Sequence, residues 1–340
     1  MSHAPPRKRR GFWLFFPFFL LALLVAAYTL YWFWARNLLA QGIDDWIAEE
    51  RRDGRTVEFS DKRLGGYPFR FALHIDDPVY GDPQTGQRWA GEELQLIMQP
   101  WNWQHVIARA PGRNRLDISG ELFEVDLGRR SAGSVSWSDA GIRRISLAID
   151  TLDARNGTTA LGRAEDFEFH LRPPPGEPDM LQLQTQWTSV ELAEPIPDAE
   201  FLGNRFGPSI LRAEASEAFP ALEMTSDLER LPGTILNLGG EITLAQLVLE
   251  WGPADIGARG KLDRTTSGEL AGTIDIRLER HEDLKEALRE AGQLEGETER
   301  VIDMVAAASS EGGFLSITVR NDGLYFLGNR IIEADIAGAL

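Results

Sequence analysis

Phe69-Arg70-Phe71-Ala72-Leu73-His74-Ile75 reads as a β-strand with one dry face. Phe69, Phe71, Leu73 and Ile75 alternate with Arg70, Ala72 and His74, and a period of two sends the sets to opposite sides of a sheet. Leu94, Leu96 and Met98 repeat the pattern. So do Ile145, Leu147 and Ile149, then Phe167, Phe169 and Leu171, then Leu181, Leu183 and Trp187. Within 116–127 the apolar set opens on Leu116 and Ile118 and closes on Phe123, Val125 and Leu127, a change of parity that predicts a hairpin or bulge near Gly120-Glu121. Turn formers punctuate the series at Asp82-Pro83, Gly112, Gly133, Asn156-Gly157 and Pro173–Gly176. The proline-rich loop lies between strand patterns and is read as part of a continuing sheet.

Toward the C-terminus, 242–251, 256–262 and 269–278 form a strand triplet joined by glycine-containing turns. A charged helix is predicted from about Glu282, with Leu284, Leu288, Val301, Ile302 and Val305 on its apolar face and Gly292 and Gly296 weakening its middle. A second, short helix is expected over 219–228. Asn321-Asp322-Gly323 between two apolar runs signals a hairpin. The fold class is mainly β (α+β): one N-terminal transmembrane helix, then a curved, largely antiparallel meandering sheet with a few helices, one near the C-terminus.

Upstream, Gly11–Trp34 holds no charged residue. At about 1.5 Å per residue it reaches roughly 36 Å, enough for a hydrocarbon core of about 30 Å. Arg7, Lys8, Arg9 and Arg10 precede it, and positive flanks stay cytoplasmic, so the rest of the chain is expected on the far side. Tyr28, Tyr31, Trp32 and Trp34 mark the outer interface, where a cleaved signal would carry small residues. Arg9-Arg10 weakly suggests twin-arginine export; the positive-inside reading is preferred. Leu38, Leu39, Ile43, Trp46 and Ile47 continue at helical spacing until Asp53-Gly54. The expected organisation is a basic tail (1–10), a membrane helix (11–34), a juxtamembrane helix (35–53) and a β-rich periplasmic domain (54–340), any subdivision falling near 195–240.

The formal net charge is −17; removing the four N-terminal cations leaves −17 − 4 = −21 on residues 11–340. Such a field repels phosphates, so nucleic acid is not an expected partner. There is no cysteine, which excludes disulfides, thiol catalysis and thiolate metal sites. His3, His74, His105, His170 and His281 are dispersed without metal-ligand spacing, and no nucleophile elbow, phosphate loop or dinucleotide fingerprint occurs. Asp44-Asp45, Asp76-Asp77 and Glu92-Glu93 read more naturally as solvated surface than as acid–base pairs. No catalytic residue, metal or cofactor is assigned.

Gly66-Tyr67-Pro68-Phe69-Arg70 after a single anchor helix, together with Leu249-Glu250-Trp251-Gly252-Pro253, Gly260, the glycines from Gly268 to Gly272 and the closing helix-plus-hairpin, resembles the uncharacterised alphaproteobacterial envelope family DUF2125. The resemblance covers most of the chain after residue 35. It implies a topology and a compartment (the bacterial inner membrane, domain in the periplasm) and brings no catalytic residues. The strand texture is also similar to inner-membrane-anchored proteins of the AsmA type, whose curled sheets form a lipid groove. Tyr67, Phe69, Phe71, Trp101 and Trp103 are the candidate ligand contacts. For each, burial in the core competes with exposure as an apolar lip. The expected function is binding of a lipid or other amphipathic envelope molecule in the concave face of the β-sheet, without enzymatic activity. The alternative is a scaffold or adaptor binding another envelope protein.

Overall fold

A computed structural model describes residues 11–333 except 140, 178, 226, 228, 310 and 311, with side chains from 15 to 330. The tail expected at 1–10 lies outside the described residues. One unbroken helix, α1 (Gly11–Arg52), contains both the apolar run and the juxtamembrane segment. Its 42 residues span roughly 63 Å, twice a hydrocarbon core. It is long and apolar enough to cross a membrane. Gly54, at φ +84°, ends it.

After α1 the described residues are organised on one antiparallel sheet of 22 strands. In the first two thirds, short strands come as two halves of a longer one. These are β1 (Thr56–Glu58) with β2 (Asp61–Gly65), β3 (Phe71–Asp76) with β4 (Val79–Asp82), β5 (Gln87–Gly91) with β6 (Glu93–Gln99), and β7 (Asn102–Arg109) with β8 (Gly112–Ile118). Then follows β9 (Glu121–Leu127) with β10 (Ala132–Ser138). The uninterrupted β11 (Gly141–Asn156) and β12 (Thr159–Arg172) come next, then β13 (Leu181–Trp187) with β14 (Ser189–Leu192) and β15 (Arg205–Phe206) with β16 (Ser209–Ala215). One row of halves runs β2-β3-β6-β7-β10 into the first part of β11; the other runs β1-β4-β5-β8-β9 into its second part. The rows rejoin on β17 (Ile242–Trp251), which pairs with β15 and β16. Beyond it lie β18 (Ala254–Arg264), β19 (Leu270–Glu279), β20 (Leu315–Arg320), β21 (Gly323–Phe326) and β22 (Asn329–Glu333). The expected change of face near Gly120 is a tight hairpin with Ser119 and Gly120 both at positive φ.

Four further helices pack on the sheet: α2 (Ala218–Met224), α3 (Leu231–Asn237), α4 (His281–Glu290) and α5 (Gly296–Ser309). The charged helix expected from Glu282 is broken in two at Gly292, φ +70°. α3, which begins Leu231-Pro232-Gly233, was not anticipated. The sheet continues without a break in pairing through residues 195–240.

The halves meet along a crease. Asp77-Pro78, Glu92, Ala110-Pro111, Gly128–Ser131, Asp150, Asp166, Thr188 and Gly207-Pro208 face one another strand by strand. Backbone bonds persist across it: Asp77 N–H to Glu92 O (3.0 Å), Gly128 N–H to Thr151 O (2.9 Å), Thr188 N–H to Glu165 O (3.1 Å) and Gly207 N–H to Glu250 O (2.9 Å). Extra residues at one level of every strand are bulges, which bend a sheet and increase its twist. Asp77 and Asp166 adopt positive φ, which aspartate tolerates better than most residues. Hydroxyls hold the acids: Ser60 to Asp77 (2.8 Å), Ser131 to Asp150 (2.8 Å) and Thr188 to Asp166 (3.2 Å). A methyl group at Gly128 would collide with the Asp150 carboxylate, so only glycine fits there.

Burial acts to raise the pKa of Asp150. Hydrogen bonds from the Ser131 and Arg130 side chains and from two backbone N–H groups outweigh it, leaving the carboxyl below its ordinary value. A depressed folded-state pKa gives stability that is complete above the unfolded carboxylate range (about pH 4) and lost as pH falls through the folded value. Asp150→Asn is therefore expected to lower stability by about 1–3 kcal/mol at pH 7. Denaturant melts of the detergent-solubilised chain should show the gap closing at pH 3; an equal gap at both pH values would show that the charge contributes nothing.

Candidate functional site

Directly opposed residues trace one apolar face across the sheet. One line runs Leu73, Leu96, Ala108, Gly133, Leu147, Phe169, Thr185, Leu211 and Leu247. The line beside it runs Phe71, Met98, Val106, Val135, Ile145, Leu171, Leu183, Ala213 and Leu244. The opposite face carries Ser134, Ser146, His170, Gln184, Arg212 and Gln246. Beyond the crease, Tyr80, Trp89, Leu116 and Phe123 oppose one another, as do Leu127 and Leu152. Leu247, Leu249 and Trp251 lie on one face of an unbroken part of β17, pairing with Leu211 on one side of the crease and Phe206 on the other. The apolar sides of both rows are therefore the same side of the sheet.

Helices cover that face only at its ends. At the far end α4 and α5 pack on Leu278, Leu315 and Ile317, while α2 and α3 cover Leu181, Ala215 and Ile242. At the near end α1 covers Phe71, Leu64 and Met98 with Trp32, Ala35 and Leu39. Between them Val106, Ala108, Val135, Leu147, Phe169, Leu183 and Leu211 are half-buried. Where the uncovered part meets α1 there is a cavity of about 140 Å³ lined by Leu39, Ile43, Leu64, Phe71, Leu73, Leu96, Ile97, Met98 and Val106. Its lining is wholly apolar in residue type.

The dock of α1 is specific. Trp32, 2% exposed, stacks on Phe71, 1% exposed, with ring centroids 5.4 Å apart. The edge carbonyls of β1 and β2 accept hydrogen bonds from the helix: Arg36 to Leu64 O (3.1 Å) and Arg51 to Val57 O (2.6 Å). Lower on the helix, Tyr28 donates to Pro68 O, Thr29 and Tyr67 hydroxyls bond at 2.8 Å, and Tyr31 donates to Pro100 O at 2.8 Å.

The five candidate contacts gather at this end, with divergent fates. Phe71 is core and lines the cavity. Phe69, expected to enter the core with it, is 72% exposed, because the Gly66–Arg70 turn lifts it out of the ladder. Trp101 is 60% exposed, and Tyr67 and Trp103 also face solvent, Trp103 donating to Pro100 O. Sequence reasoning missed the cavity wall supplied by α1; Leu39 and Ile43 at helical spacing were its only signal.

On the polar face the crease opens into a cleft of about 730 Å³ lined by Asp76, Glu92, Glu93, Gln95 and Asp126 among others. Its acids have partners: Arg63 with Asp76 (2.6 Å), Arg113 with Glu92 (3.2 Å), His74 with Glu93 (3.3 Å). Hydrogen bonds from Gln95 and His74 hold Glu93 below its ordinary pKa, opposite to what a general acid needs. Among the described residues no group of three or more His, Asp or Glu is placed to hold a metal ion.

Residues 32–329 match DUF2125, described as an uncharacterized protein conserved in bacteria. The chain belongs to this family. The match begins at Trp32, so the DUF2125 region includes Trp32, Ala35 and Leu39, the part of α1 that packs over Phe71 and Met98. No curated protein and no solved structure matches the chain.

Phe71→Ala should cost about 3–5 kcal/mol, the usual range for emptying a buried aromatic site. Denaturant midpoints of the detergent-solubilised chain check this, with Phe69→Ala, at an exposed position, within about 0.5 kcal/mol of wild type.

Proposed function

We propose that α1 holds the chain in a bacterial inner membrane, with the β-domain in the periplasm, and that the uncovered apolar face carries a lipid or similar amphipathic envelope molecule. The observation that carries this reading is the apolar strip from Val106 to Leu211, left half-buried between two helix-covered ends and running into an apolar cavity beside α1. Retention of α1 is supported by its packing: removing it as a leader would strip Trp32 and Ala35 from the core. The orientation is supported by the cations ahead of the apolar run.

The work asked of the protein is modest. Burying methylenes from water yields roughly 0.8 kcal/mol each, but an acyl chain leaving a bilayer is already dry, so transfer onto the sheet is nearly neutral. The reading is therefore one of exchange between bilayer and sheet, with no covalent chemistry.

Leu147 and Ser146 are neighbours on β11 that point to opposite faces. Native mass spectrometry of the full-length chain in detergent is expected to find co-purified lipid in wild type and in Ser146→Glu, and at least a several-fold loss in Leu147→Glu. Equal retention by the two variants, or a lipid-free wild type bound to one stoichiometric protein, would favour the adaptor alternative and discard this reading.

A further inference from the structure

Outside α1, the exposed aromatic side chains among the described residues are Tyr67, Phe69, Trp101, Trp103 and Trp137. All five sit at one end of the strands: the β2–β3 turn, the β6–β7 turn with the start of β7, and the end of β10. Ile142, paired with Trp137 across the β10–β11 hairpin, adds a 57% exposed aliphatic group there. At the opposite end the exposed large apolar residues, such as Ile118 and Leu122, are aliphatic.

The aromatic end is also the end tied to the apolar part of α1, and the level of the tie is known. Tyr67 meets Thr29, and the turns carrying Phe69 and Trp101 are held through Pro68 and Pro100 by Tyr28 and Tyr31. Thr29 lies seven residues before Arg36, the first charge after the apolar run, hence about 10 Å on its apolar side. Arg70 and Arg144, both exposed, add positive charge at the same end of the strands.

We propose that this rim of the sheet dips into the leaflet from which α1 emerges, with Phe69 and Trp101 among the acyl chains and Tyr67 and Trp137 at the headgroups. Aromatic rings favour this layer, and so large an apolar group of rings is poorly matched to bulk water. The inference rests on α1 spanning the bilayer, as proposed above, and not on lipid binding by the sheet. It gives the uncovered face a contact with the bilayer at its lower margin.

The absence of cysteine permits a direct test with the full-length chain. Phe69→Cys, Trp101→Cys, Ile118→Cys and Leu24→Cys, each at an exposed position, are labelled with an environment-sensitive fluorophore. They are then reconstituted in phosphatidylethanolamine–phosphatidylglycerol vesicles. Labels at 69, 101 and 24 should be quenched by lipids brominated in the acyl chain and shielded several-fold from iodide. The label at 118, some sixteen residues up the same pair of half-strands, should show the reverse. Labels at 69 and 101 behaving like 118 while 24 is quenched would overturn the proposal and leave the anchor standing. Loss of quenching at 24 would overturn the anchor reading, and the rim proposal with it.

Discussion

Trp32 on Phe71 joins two materials with opposite solvent requirements. α1 is apolar on all sides for its first two dozen residues, while the sheet is apolar on one face only. The stack buries a ring from each, and around it the helix supplies Arg36 and Arg51 to edge carbonyls that would otherwise be unpaired at a sheet margin. With contacts at Tyr28, Trp32, Arg36 and Arg51 the helix is fixed along about 36 Å of its length and cannot swivel freely beneath the domain. The position of the sheet along α1 is thereby set by packing, not by a flexible linker.

The crease solves a second problem. Strands long enough to form a broad apolar face must bend without turning alternate side chains outward. Unpaired residues at one level of the strands bend the ladder, and in β5–β6 and β13–β14 the parity of the apolar positions shifts to match. Leu94, Leu96 and Met98 follow Trp89, and Val190 and Leu192 follow Leu183, on the same side. Bulge backbone leaves polar groups uncompensated. The Asp150 carboxylate, held by the Ser131 hydroxyl, accepts from the backbone N–H groups of Arg130 and Thr151 and satisfies part of that demand, which accounts for an acid in the middle of the sheet.

Much of this was legible in the chain. Alternation at 71–75, 94–98 and 145–149 gave the β class and the correct apolar side, and the glycine at 292 marked the break between α4 and α5. What stayed hidden depends on tertiary context. Phe69 and Phe71 share a parity, and only the turn secured by Tyr28 separates an exposed ring from a buried one. The half-strands read as independent short strands because a bulge and a turn both interrupt alternation; opposing registers tell them apart. α3 escaped because it is only seven residues long and Gly233 lowers its helix propensity; Pro232 sits in the first turn, where its missing N–H costs nothing, and the packing of Ile235 and Leu236 stabilises the helix.

A long uncovered apolar face marks a site of interaction more than a surface suited to bulk water. On a chain anchored in a bilayer, the nearest supply of matching surface is the bilayer itself, one rim away. An acyl chain moving from there to the sheet exchanges one apolar setting for another, so the barrier lies in the headgroup crossing the interface. The sheet beyond is strongly acidic overall, and its field disfavours anionic headgroups travelling up the polar face. On the proposed reading, shape and charge together favour the apolar strip beside α1 as the path for a ligand whose tail is buried and whose head stays wet.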